Sequence, residues 1–291
     1  MPDIQKMRFW GTSAGEGIPA PFCRCRVCEY ARAHGGKDLR MRSCFRIDEE
    51  VMIDAGADFA AESIKLREDT YGLRHILFTH THDDHFDNRL LWFRKVVKAE
   101  LKPQGKIHLY FAPGGINILK DIYKGNEPFL NPELVEFHEL AFYETHQIGP
   151  YKVTPLKGHH ATAYEANSAN YIIEFPSGKK MYYAVDSGLY LEETFEYLKN
   201  IKLDLLIGEC TFLSQKPSNG GHMTLYDEKH TLDRLYEQGT INQNTLIYFT
   251  HICGVYLTHD ELTAYWAELD TPYRAKVAYD GLSIDKEADL F

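Results

Sequence analysis

The run Phe78-Thr79-His80-Thr81-His82-Asp83-Asp84-His85-Phe86-Asp87 puts three histidines and two adjacent carboxylates within six residues. It follows Leu73-Arg74-His75-Ile76-Leu77-Phe78, which reads as a buried strand running into a loop. At strand spacing His80 and His82 point the same way, so their imidazoles can grip one cation. Asp84 and His85, turning out of the strand, reach a second. That is a layout for two metals.

A second constellation, Cys23-Arg24-Cys25-Arg26-Val27-Cys28, is a C-x-C-x-x-C knuckle at about 22–29. Three thiolates this close suit tetrahedral zinc, which needs a fourth ligand from elsewhere in the chain. Cys44, Cys210 and Cys253 are the candidates for that place. The small-residue loop Gly11-Thr12-Ser13-Ala14-Gly15-Glu16-Gly17 has no lysine at the phosphate-loop position. It reads as a tight turn that brings backbone toward a site, not as a nucleotide loop. Asp54, ending a strand before a glycine turn, suits support of the histidine loop. Arg40 and Arg42 are either solvated charges or contacts for a substrate phosphate.

These residues need a scaffold, and the chain carries alternating strand and helix signals. Strands are expected at 6–10, at 107–112 and, as a hairpin turning through Asp48-Glu49-Glu50, at 40–48 and 51–56. Residues 88–100 place Leu91, Phe93, Val96 and Val97 among Arg94, Lys95 and Lys98, the pattern of an amphipathic helix with a basic face. A second helix is expected at 116–123 and a turn at 125–128. Further on, 151–156, 170–175, 180–185, 203–208, 245–250 and 276–280 read as strands and 260–269 as a helix. The runs 203–208 and 245–250 are apolar enough to be buried on both faces. His80, His160, Asp186 and His251 each stand at the carboxyl end of a strand-like run. Ligands so placed converge on one edge of a sandwiched sheet.

The chain is 44% apolar and 25% charged, ordinary for a globular protein. No internal repeat or linker interrupts it, so one domain over 1–291 is expected, with halves meeting near 132/133. Forty-two acidic against 32 basic side chains give a net charge of −10, which disfavours sequence-blind binding to nucleic acid or an anionic membrane. Its beginning lacks an apolar signal core, and no apolar run reaches the roughly 18 residues of a membrane span, so a cytoplasmic, unanchored protein is expected. Six cysteines in such a chain argue for metal binding or buried thiols over disulfides.

The run from Thr79 to His85 resembles the H-x-H-x-D-H signature of the metallo-β-lactamase superfamily, and the later strand-end residues follow in the order of that family's remaining ligands. The resemblance spans nearly the whole chain. It implies an α+β fold, a four-layer αββα sandwich in a single domain. Carried over residue by residue, it implies that His80, His82 and His160 hold one metal and Asp84, His85 and His251 the other. Asp186 would bridge them, and His160 is preferred to its neighbour His159. The Gly11-Thr12 loop and the cysteine knuckle are similar to the branch of PhnP-type cyclic phosphodiesterases and the PqqB protein of pyrroloquinoline quinone synthesis. Where that phosphodiesterase reads T-H-I-S-H, this chain has Thr250-His251-Ile252-Cys253-Gly254. A thiolate is a competent substitute for the missing imidazole, so a structural zinc held by Cys23, Cys25, Cys28 and Cys253 is implied. Gly221-His222-Met223-Thr224-Leu225 resembles the segment that supplies a catalytic histidine in the phosphodiesterase; alternatively His222 is a surface cap of the following helix. A homodimer is also implied.

Such a site would hydrolyse a small phosphodiester, including a cyclic sugar or nucleotide phosphate. Two divalent ions, Zn²⁺ first with Mn²⁺ or Fe²⁺ open, acidify water and hold the phosphoryl oxygens, while His222 protonates the departing alkoxide. The catalytic roles fall to Asp84, Asp186 and His222. Three rivals remain. They are hydrolysis at a carbonyl, as by a lactonase or thioesterase, RNA 3′-end processing, and a noncatalytic metalloprotein of a cofactor pathway. RNA would need a basic surface, for which the helix with Arg89, Arg94, Lys95 and Lys98 is the candidate, against the net charge of −10. The complete ligand set argues against a noncatalytic role.

Overall fold

The computed structural model describes residues 6–97, 105–122, 133–218, 220–286 and 289. The beginning of the chain at 1–5, the expected helix ends at 98–100 and 123, and the turn at 125–128 lie outside the described residues. One described sheet has the spatial order β14 (Ser283–Asp285), β1 (Lys6–Gly11), β2 (Cys44–Arg46), β3 (Val51–Ile53), β4 (His75–Leu77), β5 (Ile107–Phe111) and β6 (Val135–Glu139). The other runs β13 (Ala275–Val277), β12 (Leu246–Thr250), β11 (Leu205–Glu209), β10 (Lys180–Ala184), β9 (Ala169–Glu174), β8 (Tyr151–Lys157) and β7 (His146–Ile148). Strands β3 to β6 pair in parallel, as do β10 to β13. The remaining neighbours are antiparallel, including the expected β2–β3 hairpin.

Side chains alternate across each strand, and here both faces meet apolar layers. Val51, Ile53, Met181, Tyr183, Leu205 and Ile207 enter the core between the sheets. Met52 and Ile76 face an outer core with residues of α2 (Phe59–Leu66), α3 (Arg89–Val96) and α4 (Asn117–Ile122). Tyr182, Ala184 and Leu206 face the other outer core, built with α1 (Arg26–His34), α5 (Glu192–Leu198), α6 (Leu225–Glu237) and α7 (His259–Glu268). The result is the α+β, helix–sheet–sheet–helix sandwich. Double-sided burial is why 205–207 and 246–249 read as apolar runs.

The halves that meet near 132/133 each carry strands and helices, and β6, beyond that point, pairs with β5 in the first sheet. One expectation needs correction, because the last strand is not at 276–280. β13 ends at Val277, and Asp280 instead accepts hydrogen bonds from the Met41 N–H at 2.8 Å and the Thr12 hydroxyl at 2.8 Å. The last strand among the described residues is β14, which returns to the first sheet beside β1 and sends Ile284 into the central core. Three residues are too few to show a period. No described helix is long and apolar enough to cross a membrane.

Candidate metal centre

The functional side chains stand where strands run out. His80 and His160 lie three residues past β4 and β8, Asp186 two past β10, and His251 directly after β12. Asp54 directly follows β3. Asp54, Asp186 and His251 have φ of 60°, 51° and 54°. Left-handed backbone is uncommon for residues with a Cβ and concentrates at sites where surrounding structure enforces it. Each of these residues turns its chain sharply at the sheet edge.

The structure brings the expected histidines and aspartates into two groups that share one residue. Ligand atoms of His80, His82, His160 and Asp186 lie within 4.8 Å of one another, as do those of Asp84, His85, Asp186 and His251. In the first group, His80 Nε2 is 2.9 Å from His82 Nδ1 and 3.2 Å from Asp186 Oδ2, and His160 Nε2 is 3.2 Å from His82 Nδ1. In the second, His85 Nε2 is 3.3 Å from Asp84 Oδ2, 3.4 Å from Asp186 Oδ2 and 3.4 Å from His251 Nε2. His159 is exposed and stays out of both groups.

This crowding fits metal ions better than hydrogen bonds alone. Ring nitrogens with more close polar neighbours than they have protons point at common centres. Nitrogens and oxygens about 2.0–2.2 Å from one ion are themselves about 3–3.5 Å apart. Asp186 Oδ1 and His222 Nδ1 are 2.7 Å apart, yet both are buried without a hydrogen bond of good geometry. Burial, helped by the charge of neighbouring His85, pushes His80 down to about 3, the neutral form a ligand needs. Burial disfavours the charge on Asp186, but His251, His222, His80 and His85 outweigh it and hold its carboxyl well below the ordinary range.

A second layer of polar groups fixes these ligands. Asp54 Oδ2 accepts from His85 Nδ1 at 2.8 Å, and Asp54 Oδ1 accepts the Thr79 N–H at 2.8 Å, which gives Asp54 the supporting place expected of it. Glu209, at the end of β11, accepts the N–H groups of Ser187 at 2.7 Å, Gly188 at 2.8 Å and Met223 at 3.0 Å. It also accepts the Thr211 hydroxyl at 2.6 Å, and that hydroxyl lies 2.9 Å from His251 Nδ1. One buried carboxylate thereby ties together the loops of Asp186, His222 and His251. Sequence reasoning missed Glu209; the available signal was a carboxylate closing an otherwise apolar strand.

His222 reaches the site. Its ring centroid is 4.9 Å from that of His160, and its side chain keeps 29% of its surface exposed. Burial opposes its charge, yet Asp186 and then Glu209 raise it to about 9. The surface-cap alternative fails, because Thr224 and Asp227 form the capping box of α6. Gly15 also meets the expectation for its loop, since a Cβ there would lie 3.2 Å from Asp84 Oδ2.

The Sγ atoms of Cys23, Cys25 and Cys28 lie within 4.8 Å of one another. Backbone N–H groups of Ala20, Cys25 and Cys28 point at these sulfurs at 3.3–3.4 Å, as around thiolates in a zinc knuckle. Cys253 is buried, and its sulfur is not among the atoms of that group. Cys44 and Cys210 are buried elsewhere, and the Cys44 thiol donates to Asp54 O at 3.3 Å.

The arginines are largely committed. Arg40 is buried against the Thr12 hydroxyl, Ala278 O and His259, while Arg42 pairs with Asp58 at 3.0 Å. On the basic helix, Arg89 pairs with Asp87, and Arg94 donates to Leu134 O and Gly105 O. Lys98 lies outside the described residues.

Residues 49–252 match the family described as the beta-lactamase superfamily domain. Among solved structures, a diphosphatase of the PhnP family is similar with a TM-score of 0.73 at 23% identity, covering 98% of this chain and 99% of its own. Zinc-bound PqqB from Methylobacterium extorquens gives 0.74 at 20% identity, over 96% of this chain and 99% of its own. The short form of human tRNase Z gives 0.64 at 17%, over 96% and 98%. No curated protein matches the sequence significantly.

Proposed function

The chain belongs to the beta-lactamase superfamily, and from that premise we infer that it is a metal-dependent hydrolase of a small phosphodiester. The observation that carries the reading is the doubled ligand cluster sharing Asp186, with the His222 imidazole held at its rim. Two divalent ions, Zn²⁺ or else Mn²⁺ or Fe²⁺, would be held by His80, His82, His160 and Asp186 on one side and by Asp84, His85, His251 and Asp186 on the other, supplying an acidified water and charge for the phosphoryl oxygens. Asp186 and Asp84 fix the spacing of the two halves and, being anionic, balance part of their charge. His222, backed by Asp186 and Glu209, faces the departing oxygen and gives it a proton, a role usually worth about 10²–10⁴-fold. A third, structural zinc belongs to Cys23, Cys25 and Cys28, with Cys253 or a neighbouring group completing it.

Both a diphosphatase and a tRNase Z are among the structurally similar proteins, so the choice of a small diester over longer nucleic acid rests on the arginines. Arg89 and Arg94, which an extended RNA would need, are spent on Asp87 and on backbone carbonyls. The test is turnover of bis(p-nitrophenyl) phosphate, 2′,3′-cyclic nucleotides, a lactone and a thioester by protein reloaded with each metal. Diester hydrolysis lost on chelation and restored by metal is expected. Turnover of the carbonyl substrates alone would overturn the phosphodiester reading while leaving the hydrolase.

A further inference from the structure

Away from this centre, the first sheet carries a ladder of imidazoles. His75 opens β4, His108 is the second residue of β5, and Glu136 and His138 lie on β6. The parallel register sets His75 beside His108, His108 beside Glu136, and Tyr110 beside His138. Residues two apart share a face, so the four side chains rise from the same side of the sheet. The rings stack in sequence: His75 on His108 at 5.2 Å, His108 on His138 at 5.2 Å, and His138 on Tyr110 at 4.7 Å. His108 Nδ1 lies 3.0 Å from His138 Nε2, and a Glu136 carboxylate oxygen falls with them inside a 4.8 Å group.

We propose that His108, Glu136 and His138 form a separate binding site for a zinc-class divalent ion, on strands β5 and β6 at one side of the first sheet. Two imidazoles and one carboxylate are an established donor set for zinc that leaves a fourth position to water. Nitrogens each about 2.0–2.1 Å from one ion stand about 3.0–3.4 Å apart, which the observed 3.0 Å already matches. The rings are held in that attitude by stacking between His75 and Tyr110, and His75 is itself fixed by a 2.9 Å contact between its Nδ1 and the Tyr110 hydroxyl. A hydrogen bond between the two imidazoles accounts for their approach but not for a carboxylate joining them. The competing partner of Glu136 is Lys106, at 3.2 Å, with both side chains more than 40% exposed. Such a pair is weak enough to yield to a divalent ion. All three ligands are only partly buried, so an ion can enter from solvent. Binding would pin the edge strand β6 to β5.

The test counts zinc per chain at saturation for the whole protein and for His138→Gln and Glu136→Gln, with Zn²⁺ alone as the probe. Loss of one equivalent in His138→Gln, and an affinity for that ion at least tenfold weaker in Glu136→Gln, are expected, with hydrolytic turnover unchanged in both. Equal zinc content and affinity in wild type and variants would overturn the proposal. Should a variant fold poorly, the wild-type protein decides: Zn²⁺ must shift the ring resonances of His108 and His138 at one-to-one stoichiometry, and their indifference to zinc would overturn the site. The outcome is independent of which ester the hydrolytic centre cleaves.

Discussion

A proton donor at a metal site matters in proportion to how poor the leaving group is. His222→Ala should therefore lower kcat about 10²-fold on alkyl diesters and far less on p-nitrophenyl esters, whose phenolate leaves unaided. Equal losses on both, measured under saturating substrate, would remove the proton-donor role. Glu209 acts through others. Glu209→Gln should lower metal affinity and kcat/KM about 10–100-fold, since an amide nitrogen would face the N–H groups of Ser187, Gly188 or Met223. Metal content read beside kcat/KM separates that effect from unfolding. At this scale the sequence was informative where residue type and spacing coincide. His80, His82, Asp84 and His85 announce themselves within one loop, and His160, Asp186 and His251 follow as strand ends. Glu209 and Thr211 were silent because their partners are backbone groups and a ring brought in by the fold. The His108–Glu136–His138 set was equally hidden, since parallel register assembles it from separate strands.

Elements position the site through what they leave no room for. A Cβ on Gly56 would lie 2.0 Å from the backbone oxygen of Asp84, so β3's exit and the histidine loop are packed backbone to backbone. Gly56→Ala should destabilise the fold by about 1–3 kcal/mol and weaken metal binding at Asp84 and His85, as checked by denaturant unfolding and metal titration. A glycine turn after β3 was visible in the sequence, but the identity of what pressed on it was not. Long apolar runs such as β11 and β12 were also legible, because burial on both faces leaves a strong signal. The edge strands β6 and β14 were not, being short or half-polar.

For the whole molecule, the cysteine knuckle runs into the first turn of α1, which Cys25 caps and which packs Val27 and Ala31 into the outer core of the second sheet. Cys25→Ser should reduce zinc by one equivalent and lower the melting temperature while the reloaded centre still turns over substrate. Unchanged zinc and unchanged melting would show that the knuckle carries no ion. The acidic balance and the committed arginines likewise make the surface a poor match for a polyanion, so diester turnover should depend little on salt compared with a protein that reads RNA by charge.

The pairing of β1 with β14 sets Lys6 opposite Asp285 and Met7 opposite Ile284. Since β2 already holds the other side of β1, β14 serves as the cap on an edge that would otherwise be bare. Without it the first sheet would end in a row of unpaired backbone groups, the arrangement most prone to sticking between copies.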